Sequence, residues 1–401
     1  MPKLILCVLF FLVLPLKLAS WPGQEHPANQ AVPTALPQPT GPFALGTQVF
    51  QIVDASRRDP NDPGRPREMR VQIWFPAKRS SAPQAPYVID GNLLSAMKKS
   101  EYLDLPPEIL DSWSKLRTHA ASGAEVAARP TTFPLIIFSP GFGVSRVNYT
   151  AVVEELASHG LIVLTVDHPY AGLTVFPDGR VLSFSAEGGD DETLRLKVED
   201  MARDAIFILD FVLQSNTVLG QFSTRVDRKH IIVAGHSLGG MMAVEAVRQD
   251  DRFSSAIDFD GSPVGKATVD GLSRPVLVML NQPDQAHRPP PEMKAARRKE
   301  WTDLIEKKHT PSILVIVKNT THMSFSDAPF VVPPERLAKR GAVIDAHRLL
   351  EIISRAVLAF AGPIVHSEKA AQVRKTLRTY SEADIETFNM EAERVQKTSP
   401  N

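Results

Sequence analysis

The sequence predicts an α/β domain with a mostly parallel central sheet and helices on both faces. Three observations carry this. From residue 133 onward, short apolar runs alternate with helical patterns. The runs Leu135–Phe138, Leu161–Val166, Ile231–Ala234, Ala256–Phe259, Val276–Leu280 and Ile313–Val317 are near-continuous rather than alternating in polarity, as expected of parallel strands covered on both faces. No fixed internal period is present, which excludes a solenoid.

The elements follow in chain order. Lys3 precedes an apolar run, Leu4 to Leu16, broken by Pro15 and followed by Lys17, Ala19 and Ser20. Residues 1–20 therefore read as a secretory signal peptide, and a secreted, extracellular protein is expected. The run is short of the ~20 apolar residues that cross a bilayer. Residues 21–42 form a Pro-rich arm. Thr47–Ile52 and Met69–Phe75 read as strands joined by the polar turn region Asp54–Arg67, forming a hairpin at a sheet edge. Residues 76–130 are poorly patterned, with a helix around Ile109–Leu116, and read as a loop-rich insertion.

Beyond residue 133, Val147–Ser158 has a helical pattern. Val198–Leu213 is an amphipathic helix with Val198, Met201, Ala202, Ala205, Leu209 and Val212 on one face. Leu238–Val247 and residues 345–360 are further helices. Gly172–Arg195 reads as a loop that carries Phe176, Leu182 and Phe184 beside Asp190, Asp191 and Glu192. One domain is expected over 43–363, followed by a polar C-terminal tail, 364–401.

The 401 residues are 43% hydrophobic and 22% charged, an ordinary globular balance that excludes a disordered or collagen-like chain. Lys plus Arg and Asp plus Glu are each 45, so no basic excess points to nucleic acid. Cys7, in the leader, is the single cysteine. That excludes a disulfide framework, a cysteine zinc site and an iron–sulfur cluster.

Gly235-His236-Ser237-Leu238-Gly239 is a Gly-x-Ser-x-Gly motif between an apolar strand and a helix. A serine on such a sharp turn is exposed above the sheet, near a helix N-terminus that favours developing negative charge. The motif in this context predicts an α/β-hydrolase fold with Ser237 as nucleophile. Chain order then requires an acid and a histidine downstream. His322 lies past a late strand and is the candidate base. His287 and His347 are alternatives, His309 precedes its strand, and His236 is badly placed beside the serine. Asp260 and Asp284 both follow strand ends, and periodicity does not choose between them. Oxyanion donors are expected from the backbone of Leu238 and of Phe142, the latter in Ser139-Pro140-Gly141-Phe142-Gly143. Asn148-Tyr149-Thr150 and Asn319-Thr320-Thr321 are sequons, making Asn148 and Asn319 candidate glycosylation sites.

These residues resemble the platelet-activating-factor acetylhydrolase family, its plasma and type II members and their microbial relatives. Trp74-Phe75-Pro76, the Leu135–Gly143 stretch and Gly235-His236-Ser237-Leu238-Gly239-Gly240 are similar to family segments, over roughly residues 69–360. The family often has His where Pro140 stands and Phe where Leu238 stands. Its acid lies a little over twenty residues after the serine, which the resemblance assigns to Asp260, with Asp284 as the alternative. Its histidine segment is similar to Thr321–Asp327. The resemblance implies a Ser237–His322–Asp260 esterase that works through an acyl-enzyme, with no metal or other cofactor. Its substrate is expected to be a small-molecule or phospholipid ester with a short acyl chain. Phe176, Leu182 and Phe184 of the 172–195 loop are read in two ways, as a peripheral lipid-surface contact or as packing of the loop itself. A broad carboxylesterase or polyester hydrolase, a thioesterase, a peptidase and a non-catalytic protein of this fold are the rival readings. Oligomeric state is not encoded in any of these motifs.

Overall fold

The computed structural model describes residues 35–100, 105–184, 190–362 and 366–389, with backbone alone over 366–370. The expected signal peptide, most of the arm and residues 390–401 lie outside the described residues. Each apolar run forms the core of a strand. Strands β1 (Ala44–Arg58), β2 (Pro66–Ala77), β3 (Gln84–Pro86), β4 (Arg117–Ser122), β5 (Phe133–Ser139) and β6 (Ile162–Asp167) precede the small hairpin β7 (Thr174–Val175) and β8 (Val181–Leu182). Then come β9 (Val226–His236), β10 (Ser255–Phe259), β11 (Val276–Gln282), β12 (Ser312–Lys318) and β13 (Ala383–Phe388). Among the described residues one sheet holds eleven strands in the order β13-β12-β11-β10-β9-β5-β6-β2-β1-β4-β3. From β6 to β12 the pairings are parallel, and antiparallel strands flank this centre.

Helices α1 (Thr150–Ser158), α2 (Asp191–Leu213), α3 (Leu238–Gln249), α4 (Pro291–Glu306), α5 (Ala346–Ala361) and α6 (His366–Leu377) cover the sheet. Alternate residues of one strand feed two cores, because successive side chains point to opposite faces. Leu135 and Ile137 pack with α2, α3 and α4. Ile136 and Phe138 pack with α1, α5 and α6. The predicted apolar face of α2 is buried at every named position.

Three expectations are corrected. The β1–β2 hairpin is not at the sheet edge, because β4 pairs in parallel with β1 and β3 pairs with β4. The insertion therefore extends the sheet. It also builds a third core of Tyr87, Leu93, Met97, Leu110 and Trp113 against Val331 and Val332. Second, the polar tail is not outside the domain: β13 closes the sheet edge antiparallel to β12. Third, the loop 172–195 ends as helix. Asp190 caps α2, its side chain accepting from Thr193 N–H at 2.7 Å, and Asp191 and Glu192 fill the first turn, where the helix dipole favours acids. Phe176 is buried, with Arg180 over its ring.

A buried ionic cluster ties β2 to α2. Arg67 grips Asp204 through Nε and Nη2 at 2.6 and 2.7 Å, and Arg57 adds a contact at 2.7 Å. Burial opposes ionisation of Asp204, yet the Arg67 charge and a His168 hydrogen bond hold its carboxyl well below the usual range. Removing one partner of such a pair leaves an under-compensated charge in the core. Arg67→Met should cost about 3 kcal/mol of stability by urea unfolding. An unchanged midpoint would mean that Arg57 and His168 alone suffice to hold Asp204.

Candidate active site

The site gathers at the carboxyl ends of β5, β9, β10, β11 and β12. Ser237 follows β9 and precedes α3, with φ 55° and ψ −116°. That left-handed φ is costly for a residue with a side chain and persists only where the surroundings enforce it. Here Ser237 N–H donates to Phe259 O at 2.7 Å, and its carbonyl accepts from Met241 N–H at 3.0 Å. The flanking glycines are obligatory. A Cβ on Gly235 would lie 2.2 Å from the Gly239 carbonyl carbon, and one on Gly239 would lie 2.0 Å from Ser139 O. Ser237 Oγ is buried and makes no hydrogen bond among the described residues.

His322 opens a short 3₁₀ turn after β12. Its Nδ1 lies 2.6 Å from Asp260 Oδ2. Asp260 follows β10 with φ 63°. Its carboxylate also accepts from Asn281 N–H and Asn281 Nδ2, both at 2.7 Å. Arg297, on α4, lies 3.0 Å from Asp260 Oδ1 and donates to the Asp260 carbonyl at 2.6 Å. Burial pushes the Asp260 carboxyl up, but the Arg297 charge and the His322 and Asn281 hydrogen bonds outweigh it and hold the pKa at about 2. Asp260 is therefore an acceptor only, so the proton on that bond belongs to His322 Nδ1. Nε2 is left as the basic nitrogen.

Asp284 is elsewhere. It caps the turn Gln285–His287 and pairs with His287 Nδ1 at 2.7 Å. Of the two candidate acids, the structure brings Asp260 to His322 and leaves Asp284 near the surface. His347 packs against Phe330, and His309 lies beside Glu306.

The loop 139–143 stands beside Ser237. A Cβ on Gly141 would lie 3.3 Å from Ser237 Cβ. Gly141 N–H donates to Tyr149 Oη at 3.0 Å, and Gly143 N–H donates to Ala171 O at 2.8 Å. Phe142 packs its ring on Phe184 at 5.1 Å, with Lys197 Nζ 4.9 Å from the ring centroid. Leu238 is the first residue of α3, where backbone N–H groups have no intrahelical acceptor. Ser139 is held by a second serine–histidine–aspartate chain. His168 Nδ1 meets Asp204 Oδ2 and Nε2 meets Ser139 Oγ, each at 2.8 Å. All three residues are buried, so this chain fixes the loop and is sealed from substrate. Asp327 caps α1, accepting from Thr150 and Ala151 N–H at 2.8 and 2.9 Å. This anchors the segment after His322.

Asn148 is corrected as a glycosylation candidate. It is buried, and its Oδ1 accepts from Ser145 N–H at 3.1 Å, which leaves no room for a sugar. Asn319 is half-buried with φ 61°, and its carbonyl accepts from Val343 and Ile344. Among the described residues no three His, Cys, Asp or Glu side chains converge as a metal site. Arg297, Asn281, Tyr149 and His168 are the site residues that sequence reasoning did not assign. Asn281, directly after an apolar run, carried the one usable positional signal.

A family profile described as platelet-activating factor acetylhydrolase, isoform II, matches residues 31–176 and 205–373. The chain belongs to that family. A probable 1-alkyl-2-acetylglycerophosphocholine esterase from Arthroderma benhamiae is 25% identical over 256 residues, 59% of this chain and 61% of that protein. The chain thus matches only about three fifths of that relative's length. A platelet-activating factor acetylhydrolase from Cavia porcellus is 24% identical over 362 residues, 82% of this chain and 77% of that one. The solved ferulic acid esterase from Streptomyces cinnamoneus superposes with a TM-score of 0.68 at 33% identity, covering 82% of this chain and 92% of that chain. This acetylhydrolase-family member has the α/β-hydrolase fold, and the relatives it matches carry the names of esterases and acetylhydrolases.

Asp258, two residues before Asp260, has the opposite electrostatics. Its Oδ1 accepts from Gly261 N–H at 2.6 Å, but Oδ2 is buried without a hydrogen-bond partner among the described residues. Burial, only partly countered by the Gly261 hydrogen bond, pushes its pKa up to about 8. A carboxyl raised on folding contributes stability that is full below the unfolded pKa, ~4, and is lost as pH rises through about 8. Asp258→Asn removes this titration. The melting temperature of the wild type relative to Asp258→Asn should therefore fall between pH 4.5 and pH 8.5. A flat difference would mean that Asp258 is ionised in the folded protein.

Proposed function

We propose that this chain is a secreted serine esterase that cleaves short-chain carboxylic esters, phospholipid-like esters among them, through Ser237, His322 and Asp260. The observation that carries the reading is the strained elbow at Ser237 in the same site as a histidine whose Nδ1 is fixed on an ionised, buried aspartate. Ser237 Oγ attacks the ester carbonyl while His322 Nε2 takes its proton. Asp260 holds the imidazole in that tautomer and stabilises its positive charge. The backbone N–H groups of Leu238 and Phe142 receive the oxyanion, and donors of this kind are each worth about 3 kcal/mol of barrier. His322 then protonates the departing alcohol. Water, deprotonated by the same nitrogen, releases the acyl group from Ser237.

The names of the fungal and guinea-pig relatives support an acetylated glycerophospholipid as substrate. The structural likeness at 33% identity to a ferulic acid esterase supports a second reading, an aromatic acyl group lodged against Phe142 and Phe184.

The test is a panel of p-nitrophenyl acetate, a short-chain acetyl glycerophospholipid and methyl ferulate. Ser237→Ala should lose at least about a thousandfold in turnover on every substrate that is cleaved. Acetyl phospholipid above methyl ferulate in kcat/KM supports the first reading, and the reverse order supports the second. No turnover of any ester by folded protein would overturn both. Asp260→Asn should lower kcat by about 10³–10⁴ by upsetting the imidazole tautomer. Asp284→Asn should stay within about twofold of wild type, like other surface substitutions remote from the site.

A further inference from the structure

Tyr149 and His236 are buried beside the candidate site and take no part in the chemistry described above. Together they complete a line of hydrogen bonds across it. Gly141 N–H donates to Tyr149 Oη at 3.0 Å. Tyr149 Oη lies 2.8 Å from His236 Nδ1, and His236 Nε2 lies 2.9 Å from the backbone carbonyl of His322.

The direction of each bond follows from donor chemistry. A carbonyl oxygen only accepts, so His236 Nε2 carries a proton. Tyr149 Oη already accepts from Gly141 and has one proton to give. It gives it to His236 Nδ1, which is therefore bare. The order Gly141 N–H to Tyr149 O–H to His236 Nε2–H to His322 carbonyl is the one arrangement that satisfies every bond with a neutral imidazole. Burial, with the neighbouring His322 charge, pulls the His236 pKa down to about 3, in keeping with that neutral ring.

The line runs through three parts of the site that come from different strands. It begins on the residue before Phe142, passes through the residue before Ser237, and ends on the backbone of His322. The rings of His236 and His322 lie 4.4 Å apart. A Cβ on Gly141 would come 3.0 Å from His236 Nδ1 and 3.3 Å from Ser237 Cβ, so the junction is packed as well as bonded. We propose that Tyr149 and His236 are positioning residues that lock the oxyanion loop and the catalytic histidine in one register. This rests on the esterase reading. Neither side chain hydrogen-bonds to the Ser237 hydroxyl or the His322 imidazole. Their effect is on the relative placement of the reacting groups, where shifts of about 1 Å are costly.

The test compares wild type, Tyr149→Phe, His236→Gln and the double variant on p-nitrophenyl acetate. Active sites are counted by stoichiometric labelling with a fluorophosphonate. Tyr149→Phe keeps the ring and removes the central link. Its kcat per labelled site should fall about tenfold or more, with KM within about twofold, as expected for lost alignment rather than lost binding. Losses in a single chain do not multiply, so the double variant should fall no more than about threefold below the weaker single. Unchanged kcat per labelled site in Tyr149→Phe, with only fewer labelled sites, would assign a merely structural role and overturn the proposal. Multiplying losses would overturn the single chain.

Nitrogen-detected NMR of wild type gives an answer that does not need His236→Gln to fold. His236 should hold its proton on Nε2, unchanged from pH 5 to pH 8. A proton on Nδ1, or titration in that window, overturns the assignment. Wild type that takes up no fluorophosphonate would overturn the esterase reading instead, and the NMR result would stand apart from it.

Discussion

The structure depends on one tight approach, that of the β9–α3 turn to its neighbours. Ser237 is held at φ 55°, a conformation that costs about 1–3 kcal/mol for a residue with a side chain. Hydrogen bonds at both ends of the residue and the start of α3 offset that cost. The approach is possible because Gly235 and Gly239 have no Cβ to strike each other or Ser139. Sheet register then carries the constraint outward. Gly235 stands opposite Ser139 on β5 and Asp258 on β10, and His236 stands opposite Phe259. The loops after β5 and β10 therefore emerge on either side of the serine. One hangs the candidate oxyanion donors there and the other hangs the acid.

Asp258 and Asp260 show how local partners, rather than burial, decide a charge state. Both are buried. Asp260 has Arg297, two donors from Asn281 and the His322 proton, and it is ionised. Asp258 has one backbone donor and an orphaned oxygen aimed at Gly240 and Gly261, and burial pushes its carboxyl up, toward the neutral form. A buried carboxylate is stable only when its lone pairs are met by donors or charge. The pair thus favours negative charge at the carboxylate that touches His322 and disfavours it on the neighbouring one.

The centre of the fold was legible because its physics is local. Strands covered on both faces must be apolar throughout, and Leu135–Phe138 or Ile313–Val317 announce that in four or five residues. The elbow was legible because close backbone approach demands glycine at fixed offsets. What failed was non-local or amphipathic in the wrong way. Arg117–Ser122 and Ala383–Phe388 are polar or half-exposed flanking strands, so their pairing is set by partners far along the chain rather than by their own pattern. Asp260 and Asp284 looked equivalent because both follow strand ends, and a positive φ that turns Asp260 toward His322 leaves no mark in periodicity. Arg297 sits in a highly charged helix where one more arginine carries no signal. Asn148 read as a sequon, yet its side chain is spent on capping the turn at Ser145.

The anchoring of the 139–143 loop bears on how the site would work. Ser139 is tied to His168, Gly141 to Tyr149 and Gly143 to Ala171. Three successive alternate residues are thus fixed by hydrogen bonds within the protein, and two of the anchors lead to wholly buried groups. Backbone donors held in place in this way need no reorganisation as charge develops, which is where electrostatic catalysis gains most. The rim is built differently. Phe142 and Phe184 meet edge to face beneath the Lys197 ammonium, and Val181 and Leu196 are exposed nearby in sequence. The esterase reading therefore separates two demands. A rigid, hydrogen-bonded floor sets the reaction, and a rim that carries Phe142, Phe184 and Lys197 sets which ester reaches it.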